Sequence, residues 1–288
     1  MSEENKAESA KKAAQAKAET AKDTASGKVH EVKGQRAGGV KDVRTSKKIK
    51  SPKKSGGRGF IWAVLAIVAI AAMVVALLAW QGSQKDSIEG KMPQQDVNFT
   101  AKVDGNAVEL ASPNLKDGAP TVEIFEDFSC PHCAELNEAD QGDVRQALND
   151  GRLKVRYNFL NFLDRKGPAS STREAGAAMA VANTGNAKAF WNYHDYLMEE
   201  QATVVNQWGN EELGKAASAY DLDGSVVDSI KNGEAEKLGE EVGKANGDEL
   251  TKRIQTVSSP VVFVDGKQYQ IKAGPDGKPK SWVSDVVK

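Results

Sequence analysis

Residues Phe60 to Trp80 read FIWAVLAIVAIAAMVVALLAW, 21 consecutive positions without a charge. A helix rising ~1.5 Å per residue over that length spans the hydrocarbon core of a bilayer, which is about 30 Å thick. Trp62 and Trp80 stand near the two ends, where indole rings suit the membrane–water interface. A buried helix of a soluble protein is rarely this long without a polar face. A cleaved signal peptide has an apolar region of ~7–15 residues near the N-terminus and a small-residue cleavage site. This run starts at residue 60 and ends in Ala79-Trp80-Gln81. The expectation is one uncleaved transmembrane helix, a signal-anchor, over residues 60–80.

Charge divides about that helix. Residues 1–59 carry 16 basic and seven acidic side chains, whereas the rest of the chain carries 23 basic and 33 acidic. The total of 39 Lys and Arg against 40 Asp and Glu is therefore an average over unlike segments. A general nucleic-acid binder is disfavoured, because the only basic part is a low-complexity tail. Lys41, Arg44, Lys47, Lys48, Lys50, Lys53, Lys54 and Arg58 precede the apolar run, with Asp42 as the one acid among residues 41–58. The basic flank stays in the cytoplasm, which places the C-terminal part outside a single-pass cell-membrane anchor. Residues 1–59 contain no Leu and no aromatic residue; such a segment buries too little apolar surface to offset chain entropy and is expected to be disordered. Its basic run is also suited to anionic lipid headgroups, making the bilayer itself a partner.

Residues 81–104, polar and carrying Gly82, Gly90 and Pro93, read as a stalk. Residues 105–288 are of single-domain size. Thr121–Phe128 and Leu153–Leu160 are strand candidates on either side of a helix from Pro131 to about Asn149. Helical segments follow at Ser171–Asn183, Ala187–Glu200, Asn210–Tyr220 and Val226–Lys244, within a block of about residues 168–254. Val261–Val264 and Gln268–Ile271 flank Asp265-Gly266, a hairpin turn signal, and Ser281–Lys288 is a short closing helix. This order predicts an α/β sandwich with a helical insertion.

Both cysteines of the chain lie in one motif, Cys130-Pro131-His132-Cys133, where a strand gives way to a helix. A helix N-terminus presents free N–H groups and the positive end of the dipole, which stabilise a thiolate. Pro131 is tolerated at the first helical position, and a protonated His132 adds positive charge. Cys130 is the expected nucleophile and Cys133, a turn inward, the resolving thiol. A low thiolate pKa stabilises the dithiol and makes the disulfide form the stronger oxidant. A structural disulfide is an alternative, but this loop is too short to constrain the unfolded chain much. A metal site is another; it needs further ligands, and no second C-x-x-C or paired His is present.

The run FEDFSCPHCAEL, Phe125–Leu136, resembles the active-site region of the DsbA-like branch of the thioredoxin superfamily. Ser258–Lys267 (SSPVVFVDGK) resembles that branch's cis-proline loop and following hairpin, and Phe190–Asp195 (FWNYHD) resembles a helix of its inserted domain. The resemblance covers about residues 105–288. It implies a thioredoxin fold with an inserted helical domain, and a cis Ser259–Pro260 bond opposite Cys130, a geometry with a small cost only before proline. Ser259 would then offer its backbone to an extended substrate peptide. The branch often has a buried carboxylate six residues before the first cysteine; here that position is Ile124. Glu126 shares a strand face with Ile124 and is the candidate for proton transfer. His194 and its aromatic neighbours Phe190, Trp191, Tyr193 and Tyr196 suit packing between the helical block and the sheet.

The resulting expectation is an extracytoplasmic thiol–disulfide oxidoreductase using Cys130, Cys133, His132, Pro131, Ser259, Pro260 and Glu126. It would donate disulfides to secreted or surface proteins with cysteine thiols. No metal or organic cofactor is needed for disulfide exchange, and the resemblance implies a quinone-linked membrane partner for reoxidation. A reductase or isomerase with the same site, and a thioredoxin-like metal- or partner-binding module, remain alternatives.

Overall fold

The structure is a computed structural model that describes residue 62 and residues 65–74, 87–164 and 169–288. The chain divides into two units, Met1–Gly59 and Phe60–Lys288. The first, and with it the expected tail, lies outside the described residues. Of the expected span, residues 62 and 65–74 are helical with exposed side chains, among them Leu65, Ile67, Val68 and Ile70. Among the described residues no helix is long and apolar enough to cross a membrane.

A six-stranded sheet organises the second unit, with strand order β1-β2-β4-β3-β5-β6. The strands are β1 (Thr100–Asp104), β2 (Ala107–Ala111), β3 (Thr121–Glu126), β4 (Lys154–Phe159), β5 (Val261–Val264) and β6 (Lys267–Tyr269). β3 and β4 pair in parallel and every other neighbouring pair is antiparallel. The helices are α1 (Ile88–Lys91), α2 (Pro131–Asn149), α3 (Ser170–Asn183), α4 (Ala187–Glu199), α5 (Gln201–Val204), α6 (Asn210–Ala217), α7 (Gly224–Lys231), α8 (Glu236–Ile254) and α9 (Val283–Val286).

Two expectations need correction. Residues 81–104 are not a stalk throughout: Met92 and Phe99 are buried in the main core, and Phe99 meets Trp191 edge to face at 5.6 Å. Thr100–Asp104 belong to the sheet, joined to β2 through the two-residue turn Gly105-Asn106. The Gly105-Asn106 pair, with Gly105 at φ +63°, is the local signal for this hairpin. Alternation of exposed polar residues on β1 concealed it, since one face of this edge strand is solvated. The expected helix Val226–Lys244 is two helices, α7 and α8. They are separated at Asn232-Gly233, where Gly233 takes φ +82°, a conformation open to glycine without a Cβ clash.

The strand period of two sorts β3 into two environments. Val122 and Ile124 join the main core with Leu136 and Val144 of α2, whereas Phe125 packs with Phe263, Val261, Leu160 and Leu250 on the other face. α8 covers that second cluster and crosses α3 closely: a Cβ on Gly239 would lie 2.0 Å from the Thr172 carbonyl oxygen, and one on Gly176 2.2 Å from that of Ala235. The Asp265-Gly266 turn joins β5 to β6, with Val264 opposite Lys267 and both turn residues at positive φ (47° and 78°), as a two-residue hairpin of this kind requires.

Candidate active site

β3 ends at Glu126, and a tight turn carries the chain into α2. Asp127 builds that turn. Its carboxylate accepts from the Ser129 backbone N–H at 3.0 Å, and its carbonyl accepts from the Cys130 N–H at 2.9 Å. This Asx turn is the local preference of Asp. Cys130 is the N-cap of α2 and Pro131 opens the first turn, where a missing N–H costs nothing. Gln201 of α5 reaches in from the helical block; its side-chain amide donates to the carbonyls of Phe128 at 2.6 Å and Cys130 at 3.0 Å.

Both cysteines are free thiols, largely buried. The Cys130 thiol faces the Ser259 carbonyl oxygen at 3.5 Å, and the Ser259–Pro260 bond is cis. The Cys130 thiol is pushed down to about 5. Hydrogen bonding from the Cys133 thiol is the main cause, opposed by burial and assisted by the Ser259 hydroxyl and the Cys133 and His132 backbone N–H groups. Among the described residues the buried Ser259 hydroxyl has no other hydrogen-bond partner, so it is available to the thiolate. Burial drives Cys133 the opposite way, well above the usual thiol range, with the neighbouring Cys130 and Glu126 charges adding to it. One sulfur is thus a stable thiolate and the other a retained thiol, the division of roles expected of a nucleophile and its resolving partner.

His132 is exposed and its Nδ1 lies 3.0 Å from Glu135 Oε2, which raises its pKa. When protonated, the ring adds positive charge on the side of the sulfurs, partly offset by Glu135. His132, Glu135, Ser259, Pro260 and the 271–279 segment line an open groove next to Cys130.

Behind Cys133, a small cavity is lined by Ile124, Glu126, Cys133, Leu136, Asn137, Asp140, Tyr157 and Pro260. Glu126 thus stands on the Ile124 side of the strand and faces the inner thiol. Its Oε1 lies 2.6 Å from His194 Nε2. Packing explains the aromatic surroundings of His194, whose ring centroid is 4.5 Å from that of Tyr157 and 5.7 Å from that of Phe128. The ion-pair contact with Glu126 adds a role that helical spacing did not reveal, because the two residues are 68 positions apart.

Asp127 and Gln201 are the functional-site residues that sequence reasoning missed. The Asx-turn pattern at Asp127-Phe128-Ser129 could have identified the first. Nothing local marks Gln201. The Asp127 carboxylate also accepts from Ser171 Oγ at 2.6 Å and from the Leu163 N–H at 3.2 Å, tying the active-site turn to the helical block. Burial pushes it up to about 6 against these hydrogen bonds. Among the described residues, no group of three or more His, Cys, Asp or Glu side chains is arranged to hold a metal ion.

Residues 116–280 match the thioredoxin family model. MdbA of Corynebacterium diphtheriae, a thiol-disulfide oxidoreductase, is 38% identical; the match covers 62% of this chain and 90% of that one with a TM-score of 0.59. MdbA of Corynebacterium matruchotii is 32% identical, with 66% and 94% covered and a TM-score of 0.60. Among curated proteins, the serine/threonine-protein kinase PknE of Mycobacterium tuberculosis is 28% identical over 197 residues, covering 63% of this chain. The chain spans about a third of that kinase's length. Disulfide bond formation protein D of Bacillus subtilis is 23% identical, with 53% of this chain and 66% of that protein covered.

Proposed function

Because the chain belongs to the DsbA-like branch of the thioredoxin superfamily, we propose that it is a thiol–disulfide oxidoreductase that donates disulfides to secreted or surface proteins. The observation that carries this reading is the asymmetry of the two sulfurs, with Cys130 held down at about 5 and Cys133 pushed well up. A substrate thiolate attacks Cys130 of the oxidised pair, the Cys130–Cys133 bond breaks, and a mixed disulfide forms. A second substrate thiolate attacks the substrate sulfur of that mixed disulfide and releases Cys130 as a thiolate. The low Cys130 value makes it a good leaving group and stabilises the reduced enzyme, which favours donation over removal of disulfides.

In this reading Ser259 and Pro260 present a backbone edge to the incoming peptide beside Cys130. Pro131 and His132 shape and charge the helix start, and Glu126 serves the proton of Cys133. The apolar run 60–80 anchors the domain outside a cell membrane with the basic tail in the cytoplasm, and a quinone-linked membrane protein reoxidises the dithiol.

The deciding experiment is the equilibrium reduction potential of the full-length protein in detergent, titrated in glutathione buffers. A value near −120 mV, in the range of strong disulfide donors, supports the oxidase; one near −270 mV, like thioredoxin's, makes the protein a tethered reductase. Topology is tested separately on intact cells. External protease should remove the catalytic domain while an epitope in residues 1–59 stays protected, and the reverse pattern overturns the orientation.

A further inference from the structure

Glu126 and His194 come from β3 and from the inserted helical block, yet Oε1 and Nε2 meet at 2.6 Å with the two residues 4% and 1% exposed. A buried polar pair of this kind is weak evidence for stability, since apolar residues of similar volume often serve a core as well or better. The imidazole is fixed by ring contacts with Tyr157, Phe128, Phe159 and Phe190, and Glu126 lines the cavity that Cys133 also lines. Cys133 must give up a proton each time it attacks and recover one each time it leaves. It is 2% exposed, so a group already inside must handle that proton.

The other titratable groups around this cavity suit the task less well. Burial holds Asp140 of α2 and Tyr157 of β4 well above their ordinary values, which favours their protonated forms and makes them poor acceptors. Asp195, beside His194 on α4, is also raised by burial and its carboxylate is engaged by Asn137 Nδ2 at 2.9 Å.

Resting on the assignment of Cys130 and Cys133 as the reacting pair and of Glu126 as their proton group, we propose that Glu126 and His194 act as one acid–base unit that exchanges a single proton with the Cys133 sulfur. His194 is a positioning residue in this unit: it fixes the carboxylate and shares its proton. When a substrate thiolate opens the Cys130–Cys133 disulfide, Cys133 leaves with the bonding electron pair and takes the proton bridging the two side chains. When Cys133 attacks a mixed disulfide at Cys130, its proton passes to Glu126, the Cys133–Cys130 bond forms, and the departing thiolate carries off the electron pair. Solvent restores the unit between steps.

The test uses the reduced full-length protein in detergent, loaded at Cys130 with glutathione, with release of glutathione by Cys133 followed from pH 6 to 9. The wild type should vary less than about threefold across this range. Glu126→Gln and His194→Gln should each be slowed by about 10²-fold or more at pH 6, the range for loss of a general base, and should recover about tenfold per pH unit because hydroxide then sets the thiolate fraction. Since the two act as one unit, the double variant should lie within about threefold of either single one. Equal melting temperatures with a flat profile in His194→Gln, beside a steep one in Glu126→Gln, would leave the role of Glu126 standing and overturn the pairing. A flat profile in both removes the proton role of Glu126 as well, while glutathione release by the wild type still supports thiol exchange. Should His194→Gln fail to fold, the exchanged pair Glu126→His/His194→Glu takes its place: a flat profile supports the unit and a steep one in the folded protein overturns it.

Discussion

The Cys130 sulfur and the Ser259 carbonyl oxygen lie 3.5 Å apart although 129 residues separate them in the chain. This contact joins the start of α2 to the loop before β5, and it sets the Cys130 sulfur beside the backbone of the cis Ser259–Pro260 pair. The charge state of Cys130 should therefore report on the whole site.

Iodoacetamide alkylation of reduced Cys130, followed against pH, should show a midpoint near 5. Cys133→Ser replaces the hydrogen-bonding thiol, the main cause of the low value, and should change the midpoint. Cys133→Ala removes the donor and should raise it clearly. An unchanged midpoint in Cys133→Ala would refute the assigned cause.

Linkage gives a second expectation. The folded pKa of Cys130 is depressed from 9.0 to about 5, so its contribution to stability is fully present above the unfolded value and is lost as pH falls through about 5. The reduced protein should melt above the oxidised one at pH 8, and the gap should shrink toward pH 5. Calorimetry of both forms checks the sign.

Glu174 behaves in the opposite sense. Burial raises its carboxyl from 4.5 to about 8, Ser170 Oγ donates to one oxygen at 2.7 Å, and Oε2 has no hydrogen-bond partner among the described residues. A raised carboxylate pKa contributes stability below the unfolded value and loses it as pH rises toward about 8. Glu174→Gln should thus stabilise at pH 9 by about 1–3 kcal/mol, the scale for an unsatisfied buried polar group, and should gain less at pH 5. Thermal melts at the two values decide it.

Gln201→Ala removes donors to the Phe128 and Cys130 carbonyls. Loss of two hydrogen bonds should cost about 1–3 kcal/mol, measured by urea unfolding. It should also alter the reduction potential, because the Cys130 carbonyl belongs to the first turn of α2.

Gly239→Ala should destabilise by about 1–3 kcal/mol or more through overpacking, since its Cβ would meet the Thr172 carbonyl at 2.0 Å. Gly142→Ala, in the middle of α2 with nothing within 4 Å of its Cβ, should instead stabilise by about 0.5–1 kcal/mol. Paired urea titrations separate the two glycines.

Local chemistry wrote much of this protein into its sequence. The helix from Pro131 to Asn149, the β5–β6 hairpin at Asp265-Gly266 and the placement of Cys130 and Cys133 at the head of that helix depend on neighbours within a few residues, so pattern and turn residues suffice to place them. The expected membrane span rests on the sequence alone, in the unbroken apolarity of residues 60–80. The β1–β2 hairpin escaped because an edge strand with one solvated face has little hydrophobic signature. The division between α7 and α8 escaped because helical period continues through Asn232-Gly233 while the backbone does not. Tertiary structure alone decided which groups surround the sulfurs. Ser259, Gln201 and His194 reach the active site from distances of 61 to 129 residues along the chain, where no periodicity or motif spacing can register a contact. Closure of the sheet and the helical block over the site then set the chemistry of the sulfurs, since hydrogen bonding from Cys133 lowers the Cys130 thiol while desolvation raises Cys133 and the neighbouring Asp140.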